Sequence, residues 1–388
     1  MSCVLPFINL EARTDGTMSV CCIMQETAKK DDGTEFNLAH GDTFSDVQKS
    51  EWLKNIRQDF KDGKQLEACK NCWKEEEAGI QSKRQRENFF WKDTPHDRLT
   101  VMDLKLGNIC NSKCRICSSF ASSQWAAEEI ALNHLNKEKH LQFNRLGQWP
   151  NKNEKFWEDI DEHLKHVQKL EFFGGEPLLI SKHFEILEKC IKQGNARNIT
   201  LSYNTNGSIY PGEYVDLWKY FKNVEIFFSI DDTYERFNYI RHPGNFEDVV
   251  QNLIKFKNLS MDKNKGSYNL GIFQTISVFN ILDLDELTKY VDHYVDMPIH
   301  YNMVFTPKHI SPKVLPKEVK KYVTQKYKYY PEYIQKTIKF MNGEDYDNKY
   351  WKRFIQITKF GDSYRSESFE NTFPQLYAMI KDDWNKIQ

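Results

Sequence analysis

Three closely spaced cysteines stand in the stretch DLKLGNICNSKCRICSSF, residues 103–120. They are Cys110, Cys114 and Cys117, with three residues inside the first interval and two inside the second. A structural zinc site uses four ligands, and no fourth cysteine or histidine follows close by. Iron–sulfur clusters are also held by thiolates, and three thiolates on four irons leave one iron open to a substrate. The spacing therefore favours a cluster over a zinc knuckle or a disulfide with a spare thiol.

A second group of cysteines lies upstream of this stretch. Eight of the nine cysteines precede residue 118, and in a reducing compartment such clustering indicates metal ligands more often than disulfides. Cys190 stands apart in HFEILEKCIKQG, whose helical periodicity predicts a buried thiol. The upstream group consists of Cys3, Cys21, Cys22, Cys69 and Cys72.

The overall composition is that of a globular protein. Of the 388 residues, 40% are hydrophobic and 28% are charged, and the formal net charge is −1. That balance argues against a protein that coats nucleic acid or an anionic membrane. No apolar run approaches the ~20 residues that span a bilayer, and the N-terminus MSCVLPFINLEARTDG lacks the basic start of a secretory signal. We expect a cytoplasmic protein without a membrane partner.

Short apolar runs alternate with longer amphipathic stretches from about residue 98 onwards. This alternation is typical of βα units that build a parallel sheet, open or closed into a barrel. Because such folds place their sites at the carboxyl ends of the strands, we expect the functional residues to close these runs. The runs are LTVMDLKLG, LEFFGG, ITLSYNTNG, VEIFFSIDD, GIFQTISVFN and IHYNMVF.

Three parts of the chain differ in pattern: residues 1–95, 96–310 and 311–388. The first is loop-rich, with a hairpin signal at Asp15-Gly16 and a helical pattern in TFSDVQKSEWLKNIRQDFKDG. The last is rich in Lys and Tyr and predicts helices. Its basic, aromatic stripe fits either a nucleic-acid groove or an amphipathic cap with a solvated lysine face, and the cap is favoured.

The cysteine spacing and the strand ends together resemble the radical S-adenosylmethionine (radical SAM) superfamily. Its C-x3-C-x-Φ-C motif has an apolar or aromatic Φ, here Ile116. The endings GGEP, TNG and S-x-D follow the second, third and fourth predicted strands in the family's order. The resemblance covers about residues 98–310 and implies a partial (β/α)6 TIM-like barrel between a small cysteine-rich N-terminal part and a C-terminal helical extension.

The resemblance also implies cofactors and residue roles. A 4Fe–4S cluster on Cys110, Cys114 and Cys117 would bind the methionine end of SAM, accept an electron from a flavodoxin or ferredoxin, and cleave SAM to a 5′-deoxyadenosyl radical that abstracts hydrogen from a substrate. Glycines let the backbone approach the ligand, a carboxylate pairs with an ammonium, and hydroxyl or carboxylate groups bind ribose. On that basis the expected SAM contacts are Ile116, Gly174, Gly175, Glu176, Asn206, Ser229 and Asp231.

The upstream cysteines resemble the auxiliary-cluster domains called SPASM and twitch. Cys3 and Cys21 fit the C-x9–15-G-x4-C opening of these domains around Gly16, and Cys69 and Cys72 supply a following C-x2-C pair. The implied auxiliary 4Fe–4S cluster has these four ligands, with the neighbouring Cys22 as an alternative ligand and zinc as an alternative metal. Here the cysteines precede the barrel and the seven-cysteine SPASM set is absent, so one auxiliary cluster is expected.

We therefore predict a radical SAM enzyme, an oxidoreductase that acts on a peptide or protein side chain. One alternative is a nucleic-acid-modifying radical SAM enzyme or an RNA-binding iron–sulfur protein. Another is a non-catalytic iron–sulfur scaffold or electron carrier, against which the GGEP and S-x-D endings argue, because a carrier has no use for them.

Overall fold

In the computed structural model the described residues are 2–77, 81–132 and 137–387, apart from the side chain of His140. Residue 1, residues 78–80 of the predicted N-terminal part and residue 388 of the predicted extension lie outside them. All six apolar runs predicted as strands form strands. The strands are β1 Asn9–Ala12, β2 Met18–Ser19, β3 Val101–Leu104, β4 Lys169–Phe172, β5 Thr200–Thr205, β6 Asn223–Ser229, β7 Tyr268–Ile276 and β8 Ile299–Met303.

These strands form one sheet in the order β2-β1-β3-β4-β5-β6-β7-β8. Only the β1–β2 hairpin pairs antiparallel within the described sheet; its turn contains Gly16 with a φ of +83°. From β3 onwards each strand lies beside the next one in the sequence. Right-handed crossovers that advance in one direction place the connecting helices on one face of the sheet. The fold is therefore a mixed α/β fold with a parallel sheet whose second face is free of crossover helices.

The N-terminal part joins this sheet. β1 pairs in parallel with β3, in a register that sets Glu11 beside Asp103. The sheet thus begins at Asn9, ahead of the predicted barrel start at residue 96, and β1 and the following strands share a hydrophobic core that includes Leu10, Leu104 and Phe172. The division of the chain into three parts remains a prediction.

Short-range capping explains the helices of the N-terminal part. The stretch predicted as one helix forms two: Thr43 caps the first through a capping box with Asp46, and Ser50 ends it and caps the second. A serine hydroxyl that accepts from the N–H three residues later starts a new helix rather than continuing the old one. The helices here are α1 Leu5–Ile8, α2 Phe44–Lys49, α3 Glu51–Lys61, α4 Lys70–Glu77 and α5 Lys83–Phe90.

The remaining helices connect the strands or form the C-terminal extension, which is helical as predicted. A second hydrophobic core, which includes Ile240, Ile276, Phe279, Phe354 and Phe369, joins that extension to the end of β7. The connecting helices are α6 Ala126–Ala131, α7 Lys137–Leu146, α8 Glu154–Leu164, α9 Ser181–Lys192, α10 Val215–Trp218, α11 Tyr234–Ile240, α12 Phe246–Met261 and α13 Glu286–Tyr294. The extension contains α14 Lys317–Lys326, α15 Glu332–Met341, α16 Asn348–Arg365, α17 Phe369–Thr372 and α18 Pro374–Lys386.

Charged residues line the sheet face opposite the helices. Leu10, Met102 and Leu170 belong to the hydrophobic core, so the residues that follow them, Glu11, Asp103 and Glu171, point the other way. These three lie in register across β1, β3 and β4. Glu225 of β6 completes the row through Ser202 of β5, and we call the four carboxylates the inner-face acidic row.

Candidate active site at the carboxyl ends of the strands

The three clustered cysteines lie in the loop that follows β3. Cys114 is buried, and Cys110 and Cys117 are half-buried. Burial raises the pKa of Cys110 and of Cys117 to about 12, and the thiol of Cys114 nearby adds to both increases. Thiols with such pKa values carry their protons at neutral pH, so a metal that binds here must displace them.

The Gly-Gly-Glu turn after β4 packs directly on this loop. The backbone N–H of Glu176 donates to the carbonyl of Ile109, 2.8 Å away, and that residue immediately precedes Cys110. Gly175 has a φ of +56°, and a Cβ atom there would lie 2.2 Å from the same carbonyl oxygen. Gly174 has a φ of +74°, and a Cβ atom there would lie 2.8 Å from side-chain atoms of Lys105 and Thr14. The two glycines are therefore needed for close packing at the cysteine loop, whatever ligand they also face.

The carboxylate of Glu176 joins the ends of two strands. It is fully buried and accepts from Thr205 Oγ1 at 2.8 Å and from the backbone N–H of Asn206 at 2.7 Å. It also accepts from the N–H of Leu178 at 3.2 Å. Burial raises the pKa of Glu176 to about 7. In this structure the carboxylate thus holds the turn against the end of β5, and its pairing with the SAM ammonium remains a prediction.

Asn206 connects the end of β5 to the cysteine loop. Its side-chain amide donates to Asn111 Oδ1 at 2.8 Å, and its own oxygen accepts from Ser208 Oγ at 2.6 Å. Asn111 lies between the first two cysteines. The amide therefore fixes the loop from the side of the third predicted strand, which is a second role beside the SAM contact that the sequence predicts.

Asp231 forms an ion pair in this structure, and the ribose contact expected from the sequence remains a prediction. Its side chain is fully buried, and Oδ2 lies 2.8 Å from Nε of Arg241, while Oδ1 accepts from the N–H of Thr275 at 3.0 Å. Arg241 in turn directs Nη1 towards Sγ of Cys114, 4.0 Å away. Asp231 therefore orients the guanidinium of Arg241 beside the cysteine loop. Arg241 lies ten residues further along the chain, so the S-x-D pattern gave no indication of this pair.

Two further predicted contacts occupy different surroundings. Ser229 ends β6, is half-buried and has no side-chain hydrogen-bond partner among the described residues, so its hydroxyl is free to meet a ligand. Ile116 is partly buried and packs against the second hydrophobic core. Its position as Φ of the cysteine motif is therefore explained by packing, and any contact with SAM remains a prediction.

A family model described as the radical SAM superfamily matches residues 104–284, the span from the end of β3 to a point beyond β7. It includes the cysteine loop, the Gly-Gly-Glu turn, Asn206 and Arg241. Residues 104–284 are thus similar to the radical SAM superfamily. This similarity supports an enzyme whose substrate is unknown.

Individual proteins also resemble the chain. It is 24% identical over 207 residues to the radical SAM cyclopropyl synthase TigE of Paramaledivibacter caminithermalis, a match that covers 53% of this chain and 40% of that protein. The solved structure of native anSMEcpe with bound AdoMet matches 69% of this chain and 67% of its own, with 17% identity and a TM-score of 0.37. That of Streptococcus suis SuiB bound to precursor peptide SuiA matches 67% and 59%, with 13% identity and a TM-score of 0.35.

Outside residues 104–284, the structure brings together the four upstream cysteines predicted as one ligand set. They line one small pocket together with Lys83 and Arg84. Burial raises the pKa of Cys3 to about 12 and that of Cys69 to about 11. The four cysteines are Cys3, Cys21, Cys69 and Cys72.

The fifth upstream cysteine faces elsewhere. Cys22 accepts a hydrogen bond from the ammonium of Lys83 at 3.1 Å, and the same ammonium lies 3.9 Å from Glu171 of the inner-face acidic row. Cys22 is absent from the lining of the cavity that its neighbour Cys21 shares. The side chains of the two adjacent cysteines thus diverge, as expected for neighbours in a chain.

The described residues contain no preformed metal site, at either cysteine group or elsewhere. Within them, no three or more His, Cys, Asp or Glu side chains converge closely enough to chelate a single metal ion. No helix in the described part of the chain is long and apolar enough to cross a bilayer.

Three arginines near the cysteine loop are not among the site residues predicted from the sequence. Arg115 lies inside the motif, between Cys114 and Cys117, but nothing in the spacing marks it. Arg241 and Arg365 come from the ends of α11 and α16, 127 and 251 residues after Cys114. No local pattern could have connected them to the site, because their placement depends on the packing of the whole chain.

Proposed function

We propose that this chain is a radical SAM enzyme in which Cys110, Cys114 and Cys117 hold a 4Fe–4S cluster. The observation that carries the proposal is the contact between the Gly-Gly-Glu turn and the residue before Cys110, because it joins the two motifs that would bind the cluster and the methionine end of SAM. The three thiols, one buried and two half-buried, are of the type that holds an iron–sulfur cluster, and the hydrogen bonds at Cys110 and Cys117 involve backbone groups rather than carboxylates.

The residues around the loop divide between holding SAM and holding the loop. The bound cluster would supply the electron that cleaves the sulfonium of SAM to a 5′-deoxyadenosyl radical. The backbone at Gly174 and Gly175, the amide of Asn206 and the free hydroxyl of Ser229 are proposed to contact SAM, and Ile116 to border its site. Glu176 and Asp231 are also proposed as SAM contacts, and their bonds to the N–H of Asn206 and to Arg241 position the strand ends as well.

The upstream cavity is proposed to hold an auxiliary 4Fe–4S cluster on Cys3, Cys21, Cys69 and Cys72. Four thiols that line one pocket support four-thiolate ligation. Zinc is the alternative for the same ligands. Analysis of iron, zinc and acid-labile sulfide per chain after anaerobic reconstitution separates the two: about eight irons correspond to two clusters, and about four irons with one zinc correspond to the alternative.

We propose a peptide or protein side chain as the substrate and a flavodoxin or ferredoxin as the electron donor. The substrate class rests on the likeness of the upstream cysteines to twitch and SPASM domains. The TigE relative, named a radical SAM cyclopropyl synthase, is consistent with radical chemistry at carbon.

Reduction of the reconstituted chain in the presence of SAM tests the proposal. We expect 5′-deoxyadenosine from the wild type and none from Cys114→Ala, whereas Cys190→Ala, which removes a buried thiol from α9, should retain it. Cys114→Ala should also keep the metal of the upstream cavity. Product formed by Cys114→Ala would show that the three cysteines are assigned wrongly.

A further inference from the structure

The end of α16 and the turn that follows it are clamped to the cysteine loop. Nη2 of Arg115 lies 2.7 Å from Asp362 Oδ1 and 2.6 Å from Glu367 Oε2. The Arg115 guanidinium also lies 3.7 Å from the ring centre of Tyr239, whose hydroxyl donates to the same Asp362 oxygen at 2.5 Å. Gly361 leaves room for this guanidinium, since a Cβ atom there would lie 2.8 Å from Nη1. The C-terminal extension is therefore fixed against the loop that holds the three cysteines.

This clamp places a second guanidinium, that of Arg365, in the interior. The Arg365 side chain is 0% exposed, and its Nε lies 2.9 Å from Glu128 Oε2 and 3.0 Å from Oε1. It also lies 4.8 Å from the ring centre of Trp125. Nε1 of that tryptophan donates to the carbonyl of Cys114 at 3.0 Å. One aromatic ring thus separates the Arg365 guanidinium from the backbone of a cluster cysteine.

The two terminal nitrogens of Arg365 have no partner among the described residues. Both Nη1 and Nη2 are buried and unbonded there. Leaving charged donors buried without an acceptor is costly, and buried polar groups almost always have a partner. Two charged donors are therefore left buried beside the tryptophan that contacts the Cys114 backbone.

We infer that Arg365, together with Arg241, supplies positive charge to the SAM-binding cluster and raises its reduction potential. The inference rests on the proposed function. A cluster becomes more negative when it is reduced, so a nearby cation stabilises the reduced form, and net charge and hydrogen bonds to sulfur are among the factors that set cluster potentials. Through Arg365, the C-terminal extension would influence the reduction potential of the cluster in addition to packing against the sheet.

A merely structural role predicts something different. If Arg365 only neutralised Glu128 and held α16, its replacement would lower stability and cluster content but leave the potential of the remaining clusters unchanged. The potential, read from the reduced-cluster signal in electron paramagnetic resonance, is therefore the decisive quantity.

The test is a redox titration of the full, anaerobically reconstituted chain, with potentials compared at equal iron content. Arg365→Gln should shift the midpoint of the SAM-binding cluster to a more negative potential. Lys352→Gln, which removes an exposed cation from the same helix, should leave it unchanged. If Arg365→Gln does not fold, Arg365→Lys keeps the charge opposite Glu128 but loses the paired donors, and it should give a smaller shift in the same direction.

Each outcome points to one conclusion. A wild-type midpoint in both Arg365 variants would overturn the inference and leave the radical SAM assignment intact. A wild-type chain that forms no SAM-responsive cluster would instead overturn the proposed function. A midpoint shift of equal size in Lys352→Gln would also contradict the inference, because it would assign the effect to general surface charge.

Discussion

At the scale of single residues, Gly175 shows how closely the SAM-site motif and the cysteine loop are joined. Its backbone has a φ of +56°, and a side chain would collide with the carbonyl of Ile109 at 2.2 Å. Gly194 has a similar φ of +78°, but no atom lies within 4 Å of the position that a Cβ would take there. The pair therefore separates the cost of the backbone conformation from the cost of the collision.

Replacement of each glycine by alanine tests this difference. A left-handed backbone costs a non-glycine residue about 1–2 kcal/mol, and overpacking adds about 1–3 kcal/mol. We expect Gly175→Ala to lower the free energy of unfolding by about 2–5 kcal/mol and to reduce iron content after reconstitution. Gly194→Ala should cost about 1–2 kcal/mol and leave the iron content unchanged. Denaturant unfolding with iron analysis measures both, and equal effects in the two variants would contradict the packing seen at Ile109.

Glu176 gives a pH dependence with a definite sign. Its pKa rises from 4.5 to about 7 on folding because it is buried. Between these values the folded chain holds a proton that the unfolded chain has released, so this group's contribution to stability falls as pH rises from 4.5 to 7. One pKa unit corresponds to about 1.4 kcal/mol, so the whole effect is on the order of 3 kcal/mol.

Glu176→Gln should abolish this contribution, because the amide does not titrate. We expect the wild type to lose stability relative to the variant as the pH is raised from about 5 to about 8, measured from denaturant midpoints. Burial also raises the pKa of other acids, such as that of Asp103 to about 6. These acids are present in both the wild type and Glu176→Gln, so their contributions cancel in the difference between the two stability profiles. Parallel pH profiles would show that Glu176 ionises normally in the folded chain.

Single residues also show which features of the site could be predicted from the sequence and which could not. The three cysteines and the strand-end motifs were visible because their spacing is local. The partners of the acidic residues were not: Asp231 pairs with Arg241 through the geometry of α11, and Arg365 reaches the cysteine loop from the far end of the chain. Ligand roles assigned from motifs alone therefore overlook which groups the fold has already paired.

At the scale of secondary-structure elements, β1 is the element whose place the sequence did not reveal. Its hairpin with β2 was predicted from Asp15-Gly16, a local signal. Its parallel pairing with β3 joins Asn9 to Val101, and no periodicity spans the intervening residues. Likewise, the residues on both sides of Ser50 share a helical pattern, so one helix was expected there. The structure has two, α2 and α3, each with its own N-terminal cap.

The place of β1 predicts the behaviour of a shortened chain. Removal of residues 1–95 would expose the edge of β3 and take Glu11 from its ion pair with Lys105. We expect the fragment 96–388 to lack a cooperative thermal transition and to aggregate, as unpaired strand edges promote. Circular dichroism with size-exclusion chromatography checks this, and a monomeric fragment that unfolds cooperatively near the wild-type temperature would show that the N-terminal part is independent.

At the scale of the whole molecule, the inner-face acidic row is neutralised by lysines from several parts of the chain. Lys105 contacts Glu11 and lies 3.3 Å from Asp103. Lys169 lies 3.2 Å from Glu171 and 3.3 Å from Glu225. Lys83, from α5, adds a further cation and contacts Cys22. The row thus links the N-terminal part, the sheet and the upstream cysteines in one buried charge network.

Lys105→Met tests the network. It would leave Glu11 and Asp103 buried with one cation fewer, and removal of one partner from a buried ion pair costs about 3–5 kcal/mol. We expect a loss of unfolding free energy of that size in guanidinium chloride titrations. Lys64→Met, which removes an exposed ion pair with Asp59, should have no measurable effect. Equal stability of the Lys105 variant and the wild type would mean that the row is neutralised by protonation rather than by lysines.

The most direct test of the central claim is electron–nuclear double resonance on the reduced, reconstituted chain with labelled SAM. The label is ¹⁵N in the amino group and ¹⁷O in the carboxylate of the methionine part. A cluster on Cys110, Cys114 and Cys117 with one open iron predicts hyperfine coupling to both labels, absent from Cys114→Ala. A reduced cluster in the wild type that couples to neither label would contradict the account, because SAM would then not bind at the iron those cysteines leave open.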